Sequence, residues 1–191
     1  AGGPLGFWSN ISDVGSIFRV YEVGSRLSVN LPSGASLKLI RSDNDKANGC
    51  GVLIIPGGGY EVVAGDYEGA SWAPIFNDLG YTVGVLKYTV PPTAPDGPMT
   101  QALEAMQYMR DNDAEWNIAN GEIGVMGFSA GGHLASTVAT HTSGTECPAF
   151  QVLFYPVITM DASYTHSGSR QNLLGSNPSS DLVNLDRKSV V

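Results

Sequence analysis

The sequence is poor in charged side chains, histidine and cysteine, and it has no long apolar run. Its 191 residues include 10 Lys and Arg, 18 Asp and Glu, 3 His and 2 Cys, which gives a formal net charge of −8. The few basic residues are scattered, so no basic stripe indicates a nucleic-acid-binding surface. Cys50 and Cys147 have no metal-binding spacing, and no apolar segment is long enough to predict a membrane span.

The N-terminus also lacks the features of a signal peptide. Residues 1–4, AGGP, have no positive charge, and no long apolar segment follows them. The missing initiator Met indicates a processed or engineered start. We therefore expect a soluble protein and leave its localisation open between cytoplasmic and secreted.

What the sequence does contain is enough apolar material for a core. Hydrophobic residues make up 42% of the chain, and the length suits one domain over residues 1–191. Residues 1–26 are rich in Gly and Ser and are predicted to form a surface arm with little regular structure. Residues 159–191 turn polar and are predicted to form an irregular tail.

Apolar patterns between these ends predict alternating strands and helices. Alternation over residues 27–41 predicts a hairpin with one buried face. Continuous apolar runs at residues 51–56 and 81–88 predict strands of a parallel sheet, and helical spacing at residues 99–116 predicts a helix. Pro74 is tolerated only near a helix start, so the helix before the second run begins no earlier than Trp72 or Ala73. This alternation predicts an α/β fold with a mostly parallel sheet.

The most informative stretch is residues 123–139, where an apolar strand leads into GFSAG at residues 127–131 and then into a helical pattern. The G-x-S-x-G motif of a nucleophile elbow requires this strand-to-helix context. Gly127 and Gly131 suit such a turn because a Cβ at either position would collide where strand and helix meet. Ser129 is therefore the predicted nucleophile, at a helix N-terminus that favours developing negative charge. A glycine-rich loop without chemistry is the alternative interpretation.

A second glycine motif, PGGGY at residues 56–60, follows a predicted strand. A serine that performs acyl transfer needs backbone N–H donors aimed at the oxyanion, and glycines let the substrate approach those donors. An ordinary tight turn is the alternative. Because three consecutive glycines lose much chain entropy on ordering, a functional loop is the better interpretation.

Several motifs occur in the same order as in a known family. They are PGGGY at 56–60, EG at 68–69, LKY at 86–88, GVMGFSAGGHLA at 124–135 and YPV at 155–157. Over residues 37–185 the chain resembles the α/β-hydrolase esterases of the acetyl-xylan-esterase and feruloyl-esterase-like group, many of them bacterial and active on plant polysaccharides. The resemblance implies an α/β-hydrolase-type three-layer sandwich and a serine carboxylesterase acting on acetyl or feruloyl esters.

The resemblance also implies the roles of individual residues. Ser129 would be the nucleophile, and the N–H of Ala130 with that of Gly58 or Gly59 would form the oxyanion hole. A small ester or an acylated saccharide would be the substrate, and no metal or cofactor is implied. Apart from the resemblance, the position of Tyr60 directly after the glycine motif predicts that it offers an aromatic surface to the acyl group or sugar. Glu68 could touch the substrate, but capping the helix that it begins is the better interpretation.

The family normally places its acid after a seventh strand and its histidine after an eighth, and this chain ends about where the seventh is expected. We therefore expect the last strands and helices to be lacking and esterase activity to be weak. His166, in the loop after the sixth strand with Asp161 upstream, is the candidate substitute base. His133 and His141, on the helix that follows Ser129, are expected to be structural. A catalytically impaired remnant that binds esters or glycans is the alternative function.

The last predicted strand, within residues 150–157, has no later strand in the sequence to pair with. An apolar edge with unpaired N–H and C=O groups is a template for another chain. We therefore predict a homodimer joined along this sheet edge. The alternative is that residues 159–191 fold back and cover the edge.

Overall fold

The fold is that of a computed structural model, which describes residues 8–13, 16–23 and 26–185, and the side chains of 26–119 and 121–185. The strands are β1 (Trp8–Asp13), β2 (Ser16–Val23), β3 (Arg26–Asn30), β4 (Ser36–Ile40), β5 (Gly49–Ile55), β6 (Thr82–Lys87), β7 (Ile118–Phe128) and β8 (Gln151–Phe154). The helices are α1 (Ala73–Asp78), α2 (Gly97–Asp111), α3 (Ala130–His141), α4 (Ser167–Leu174) and α5 (Ser180–Val183).

All these strands form one sheet in the order β1-β2-β3-β4-β6-β5-β7-β8. Strands β1 to β4 form an antiparallel meander, and β4 joins the rest of the sheet by pairing antiparallel with β6. Strands β6, β5, β7 and β8 are parallel neighbours. Because β1 and β3 point the same way as these four, most of the sheet runs in one direction, and the predicted α/β fold with a mostly parallel sheet is confirmed.

The central strand β5 shows why the sheet has helices on both faces. Leu53 and Ile55 face the core that contains α2 and α3, whereas Val52 and Ile54 face the core on the side of α1. All four side chains are completely buried. A parallel strand buried on both faces appears as a continuous apolar run, and burial of each such side chain stabilises the fold by about 1.5–3 kcal/mol. The three-layer arrangement follows from this run.

The N-terminal segment is more regular than predicted. Strands β1 and β2 pair antiparallel, and β2 continues the sheet by pairing with β3. The prediction of little regular structure over residues 1–26 was therefore wrong for these two segments; its other positions, apart from Arg26 in β3, lie outside the described residues. The β-branched and aromatic residues of SIFRVYEV in β2 favour a strand more strongly than the surrounding Gly and Ser disfavour it.

The C-terminal segment is also more regular than predicted, because α4 and α5 lie within the tail that begins at residue 159. The His166 side chain caps α4, and Gly175, with φ of 80°, follows its last residue. Ser179 caps α5 in the same way. Leu173 carries the segment into the core that contains α2 and α3. Residues 186–191 lie outside the described part of the chain.

Candidate active site

The sharp turn between β7 and α3 is the centre of the candidate site. Ser129, between the strand and the helix, has φ of 51° and ψ of −117°, a conformation that residues with a side chain rarely adopt. Its N–H donates to Phe154 O at 3.0 Å, and its carbonyl accepts from Val157 N at 3.0 Å. Bonds on both sides of the residue hold the strained backbone in place. The predicted sequence of strand, turn and helix is present, and the Ser129 side chain is half-buried.

The two glycines of the motif lie where the chain has no room for a side chain. A Cβ added at Gly131 would lie 2.1 Å from the Ile55 carbonyl oxygen. One added at Gly127 would lie 2.2 Å from the Gly131 carbonyl oxygen. The contacting atoms belong to the backbone, so they cannot rotate away. The crowding that the sequence predicts at this turn is therefore present.

The loop formed by residues 57–59 lies directly against Ser129. A Cβ at Gly57 would approach the Cβ of Ser129 to 3.0 Å. The loop carbonyls have partners elsewhere: Gly57 O accepts from Ala64 N at 3.0 Å, Gly58 O accepts from two N–H groups of the following turn, and Gly59 O accepts from Asn172 Nδ2 at 2.9 Å. Each carbonyl of the loop thus has a hydrogen-bond partner other than the serine.

The N–H groups of the same loop are the candidate oxyanion donors. Within the described residues, no acceptor forms a hydrogen bond with the N–H of Gly58 or Gly59. Ala130 is the first residue of α3, so its N–H has no acceptor within the helix. The structure thus brings Ser129 into contact with the loop that carries two of the predicted donors and covalently next to the third. This arrangement could stabilise a negative charge that develops on an oxygen beside Ser129.

Glu68 lies in the candidate site with a role that sequence reasoning missed. Its side chain is 8% exposed, and Oε2 accepts a hydrogen bond from Gly57 N at 2.8 Å. Its other oxygen, Oε1, accepts from the Tyr155 hydroxyl at 2.9 Å. Glu68 therefore connects the glycine loop to the segment after β8 instead of capping a helix. No local signal could have revealed this role, because Tyr155 lies 87 residues away in the sequence.

The prediction that Tyr60 presents an aromatic surface to a substrate is wrong. Its side chain is only 1% exposed, and its hydroxyl lies 2.8 Å from His133 Nδ1. Its ring meets Tyr88 edge-on with centroids 6.0 Å apart. Tyr60 has φ of 58°, and this reversal of the chain directs the ring into the core. Burial first, and then the neighbouring Tyr88, raise the pKa of Tyr60 well above 10, so the hydroxyl stays neutral.

The histidines that could act as a base have different surroundings. His133 is buried against Tyr60, as expected for a structural residue. His141 lies at the other end of α3, where Nε2 is 2.8 Å from Leu185 O. His166 is exposed and lies near the glycine loop, since a Cβ at Gly59 would be 4.0 Å from its Cε1. Of the three, His166 is the one beside the candidate oxyanion donors on an accessible surface.

The ring of His166 already has a structural partner. Its Nδ1 accepts a hydrogen bond from Ser169 N at 3.2 Å and lies 2.9 Å from Ser169 Oγ. Because Nδ1 accepts, a neutral imidazole in this arrangement carries its proton on Nε2. The cap of α4 thus restricts the tautomer of this histidine.

In the part of the chain that the structure describes, no cluster of three or more His, Cys, Asp or Glu side chains could hold a metal ion. No helix among the described residues combines the length and the hydropathy needed to cross a bilayer.

Comparison with known proteins finds relatives with the α/β-hydrolase fold. A family model described as the alpha/beta hydrolase fold matches residues 52–185. An acetylxylan esterase from Xylanibacter ruminicola is 31% identical over 154 residues, which are 81% of this chain and 32% of that protein. An endo-1,4-beta-xylanase B from Butyrivibrio fibrisolvens is 34% identical over 153 residues, covering 72% of this chain and 24% of its own length.

A solved structure is similar as well. The acetyl ester-xyloside bifunctional hydrolase from Caldicellulosiruptor lactoaceticus matches with a TM-score of 0.73 and 35% identity, over 83% of this chain and 62% of that one. The chain thus spans about a third and a quarter of the two relatives and under two thirds of the solved chain. The family model covers more than half of this chain and includes both the glycine loop and the serine turn. The chain therefore belongs to the α/β-hydrolase fold family.

Proposed function

We propose that the protein is a serine carboxylesterase in which Ser129 is the nucleophile. The observation that carries this proposal is the position of Ser129, in a strained turn against a glycine loop. Among the described residues, the N–H groups of Gly58 and Gly59 have no acceptor. Strained backbone in a residue with a side chain persists where the surrounding structure enforces it, and it concentrates at functional sites. Donors fixed before the reaction stabilise developing charge without reorganising.

In the proposed reaction, Ser129 Oγ forms a bond to the ester carbonyl carbon, and the C=O electron pair moves onto the oxygen. The N–H of Ala130 with that of Gly58 or Gly59 donates to this oxyanion. The proton of Oγ passes to the base. Collapse of the intermediate re-forms the C=O bond and breaks the bond to the alcohol oxygen, which takes that proton from the base and leaves as the alcohol. Water then attacks the acyl carbon and gives its proton to the base. The bond to Ser129 Oγ breaks, Oγ regains a proton from the base, and the carboxylic acid is released.

The proposed substrates are acetyl or feruloyl esters of plant polysaccharides, recognised as small esters or acylated saccharides. Support comes from the relatives, whose names describe an acetylxylan esterase, a xylanase and an acetyl ester-xyloside hydrolase. All three names refer to xylan or xylosides, and two refer to acetyl groups. Acetylated xylo-oligosaccharide is therefore the first substrate to test.

Replacing Ser129 with alanine is expected to lower hydrolysis of p-nitrophenyl acetate and of acetylated xylo-oligosaccharide by at least about 10²-fold, because no nucleophile remains. Initial rates and the release of acetate measure this effect. Ser143→Ala is the matched control, since Ser143 is exposed in the loop that follows the far end of α3. Equal rates for wild type and Ser129→Ala would reject the esterase proposal.

His166 is the base in this proposal, because it lies on the accessible side of the glycine loop. To accept the Ser129 proton at Nε2, the ring must first move its own proton to Nδ1, and it then no longer accepts the hydrogen bond that caps α4. Because this change costs free energy, we expect the esterase activity to be weak. His166→Ala is expected to reduce kcat by about 10²-fold, the lower end of a general-base contribution. His141→Ala, at the far end of α3, serves as the control. Unchanged kcat in His166→Ala would mean that water takes the proton.

The second candidate function is a catalytically impaired remnant that binds esters or glycans. It is favoured by the histidines, each of which has a structural partner: Tyr60 for His133, Leu185 for His141 and Ser169 for His166. A serine hydroxyl without an available base is a poor nucleophile. Saccharide binding together with rates that do not depend on Ser129 would favour this function over the esterase.

The proposed partner is a second copy of the chain, paired along β8. Among the described strands, β8 pairs with β7 alone, so its other edge is open. Phe150 O accepts from Val125 N at 2.9 Å. Because the C=O and the N–H of one trans peptide unit point in opposite directions, the N–H of Gln151 points away from β7, to the open edge. The α4 and α5 segment packs on the α2–α3 side instead.

Gln151→Pro is expected to abolish the dimer, because it removes an outward N–H and leaves the bonds to β7 in place. The Gln151 side chain is exposed, so little packing is lost, and Gln151→Ala is the matched control. Light scattering coupled to size-exclusion chromatography over a concentration series measures the mass. A wild type that stays at 20.1 kDa at high concentration would refute the dimer.

A further inference from the structure

Tyr155 is an exposed aromatic residue in an unusual backbone conformation beside the candidate nucleophile. It follows β8 directly, its φ is 35°, and its side chain is 65% exposed. The chain holds the serine just before and just after Tyr155, since Ser129 N donates to Phe154 O and Ser129 O accepts from Val157 N. A strained backbone that turns a large aromatic ring toward solvent is unfavourable for folding alone. The conformation therefore points to a role in binding.

The ring of Tyr155 is fixed at both ends. Its backbone follows β8, and its hydroxyl donates to Glu68 Oε1 at 2.9 Å. The opposite oxygen of the same buried carboxylate accepts from Gly57 N at 2.8 Å. Partial desolvation, the hydrogen bond and the charge of Glu68 raise the pKa of Tyr155, so the hydroxyl remains a donor. A side chain held in this way has little conformational entropy left to lose when a ligand contacts it.

A second exposed tyrosine lies in the same region. Tyr67 is 70% exposed and immediately precedes Glu68, the residue that accepts the hydrogen bond from the Tyr155 hydroxyl. Two exposed aromatic rings beside a buried carboxylate leave faces of negative partial charge open to solvent. A pyranose ring offers a complementary surface, because one of its faces carries several C–H groups with positive partial charge. A saccharide therefore suits this surface.

We propose that the sugar ring of an acylated saccharide stacks on the ring of Tyr155, and that Glu68 fixes the position of this ring relative to the glycine loop. This inference rests on the proposed esterase function and deepens it, because it names the residue that contacts the alcohol side of the ester. Tyr155 is thus a residue that determines specificity, and Glu68 is a positioning residue.

The kinetic test compares an acetylated xylo-oligosaccharide with ethyl acetate, which has no sugar. In Tyr155→Ala, the ratio of kcat/KM for the sugar ester to kcat/KM for ethyl acetate is expected to fall about tenfold, the size of one aromatic contact. Tyr155→Phe keeps the ring and is expected to keep most of the ratio. Leu79→Ala is the control for loss of an exposed apolar side chain, since Leu79 is 62% exposed and precedes the start of β6, away from the site.

A binding test does not depend on catalysis. An NMR titration of the wild-type chain with xylobiose, which carries no ester, is expected to give a dissociation constant that increases about tenfold in Tyr155→Ala. If the wild type hydrolyses neither ester, the esterase function fails, and this titration still decides the inference. Equal dissociation constants for wild type and Tyr155→Ala would overturn it.

Two other results would also contradict the proposal. Equal loss of the sugar selectivity in Tyr155→Phe and Tyr155→Ala would show that the bond to Glu68, and not the ring, matters. Methyl ferulate, an ester with an aromatic acyl group and no sugar, is a third substrate for the comparison. If kcat/KM of Tyr155→Ala fell for methyl ferulate alone, Tyr155 would contact an aromatic acyl group and not a sugar.

Discussion

Gly131→Ala is expected to cost the protein a large fraction of its stability. The new Cβ would lie 2.1 Å from the carbonyl oxygen of Ile55 and 2.4 Å from that of Pro56. Both are backbone atoms at the carboxyl end of the central strand, so the strand or α3 must move. Such overpacking costs about 3 kcal/mol or more, a large fraction of a typical 5–15 kcal/mol free energy of unfolding. Gly131→Val adds a branched side chain and is expected to prevent folding.

Gly97→Ala is the matched control, because it makes the same change at the first residue of α2. Nothing lies within 4 Å of its added Cβ. Alanine there reduces the entropy of the unfolded chain and is expected to stabilise by about 0.4–1 kcal/mol. Thermal and urea unfolding, followed by circular dichroism, measure both variants. A soluble Gly131→Ala protein with the wild-type melting temperature would contradict the geometry of the turn.

The parts of the fold that the sequence predicts are those with a local physical cause. The apolar run at residues 51–56 matches β5 because a strand buried on both faces needs apolar residues at every position. Helix α1 begins at Ala73, as predicted from Pro74, because proline fits only the first turn. The serine turn likewise follows from a glycine motif whose meaning depends on its immediate neighbours.

The parts that the sequence does not predict depend on distant partners. Tyr60 follows a glycine loop, which suggests exposure, but its positive φ and a contact with His133, 73 residues away, bury it. Strands β1 and β2 extend a sheet that continues through β3, so the local composition of residues 1–26 alone did not predict them. Glu68 begins a pattern with helical spacing, which predicts a helix cap. Its carboxylate accepts hydrogen bonds from the glycine loop and from Tyr155 instead. Tertiary contacts overrode the local pattern in each case.

Glu68→Ala is expected to lower kcat by about 10²-fold with little change in KM, provided that the esterase function holds. The substitution removes the acceptor of the Gly57 N–H and leaves a buried donor without a partner, which costs about 1–3 kcal/mol. The glycine loop can then relax away from Ser129, to which Gly57 is packed. Misplacing one oxyanion donor typically costs about 10²–10³ in rate. Steady-state kinetics on p-nitrophenyl acetate measures the effect.

Two further variants identify the cause of that loss. Glu68→Gln keeps an oxygen that can accept from Gly57 and is expected to recover much of kcat, because the loop needs an acceptor more than a charge. Glu61→Ala removes an exposed carboxylate from the turn after the same loop and is expected to have no effect. If Glu68→Ala and Glu61→Ala behave alike, the carboxylate of Glu68 does not position the oxyanion donors. If Glu68→Gln is as slow as Glu68→Ala, the negative charge itself is required.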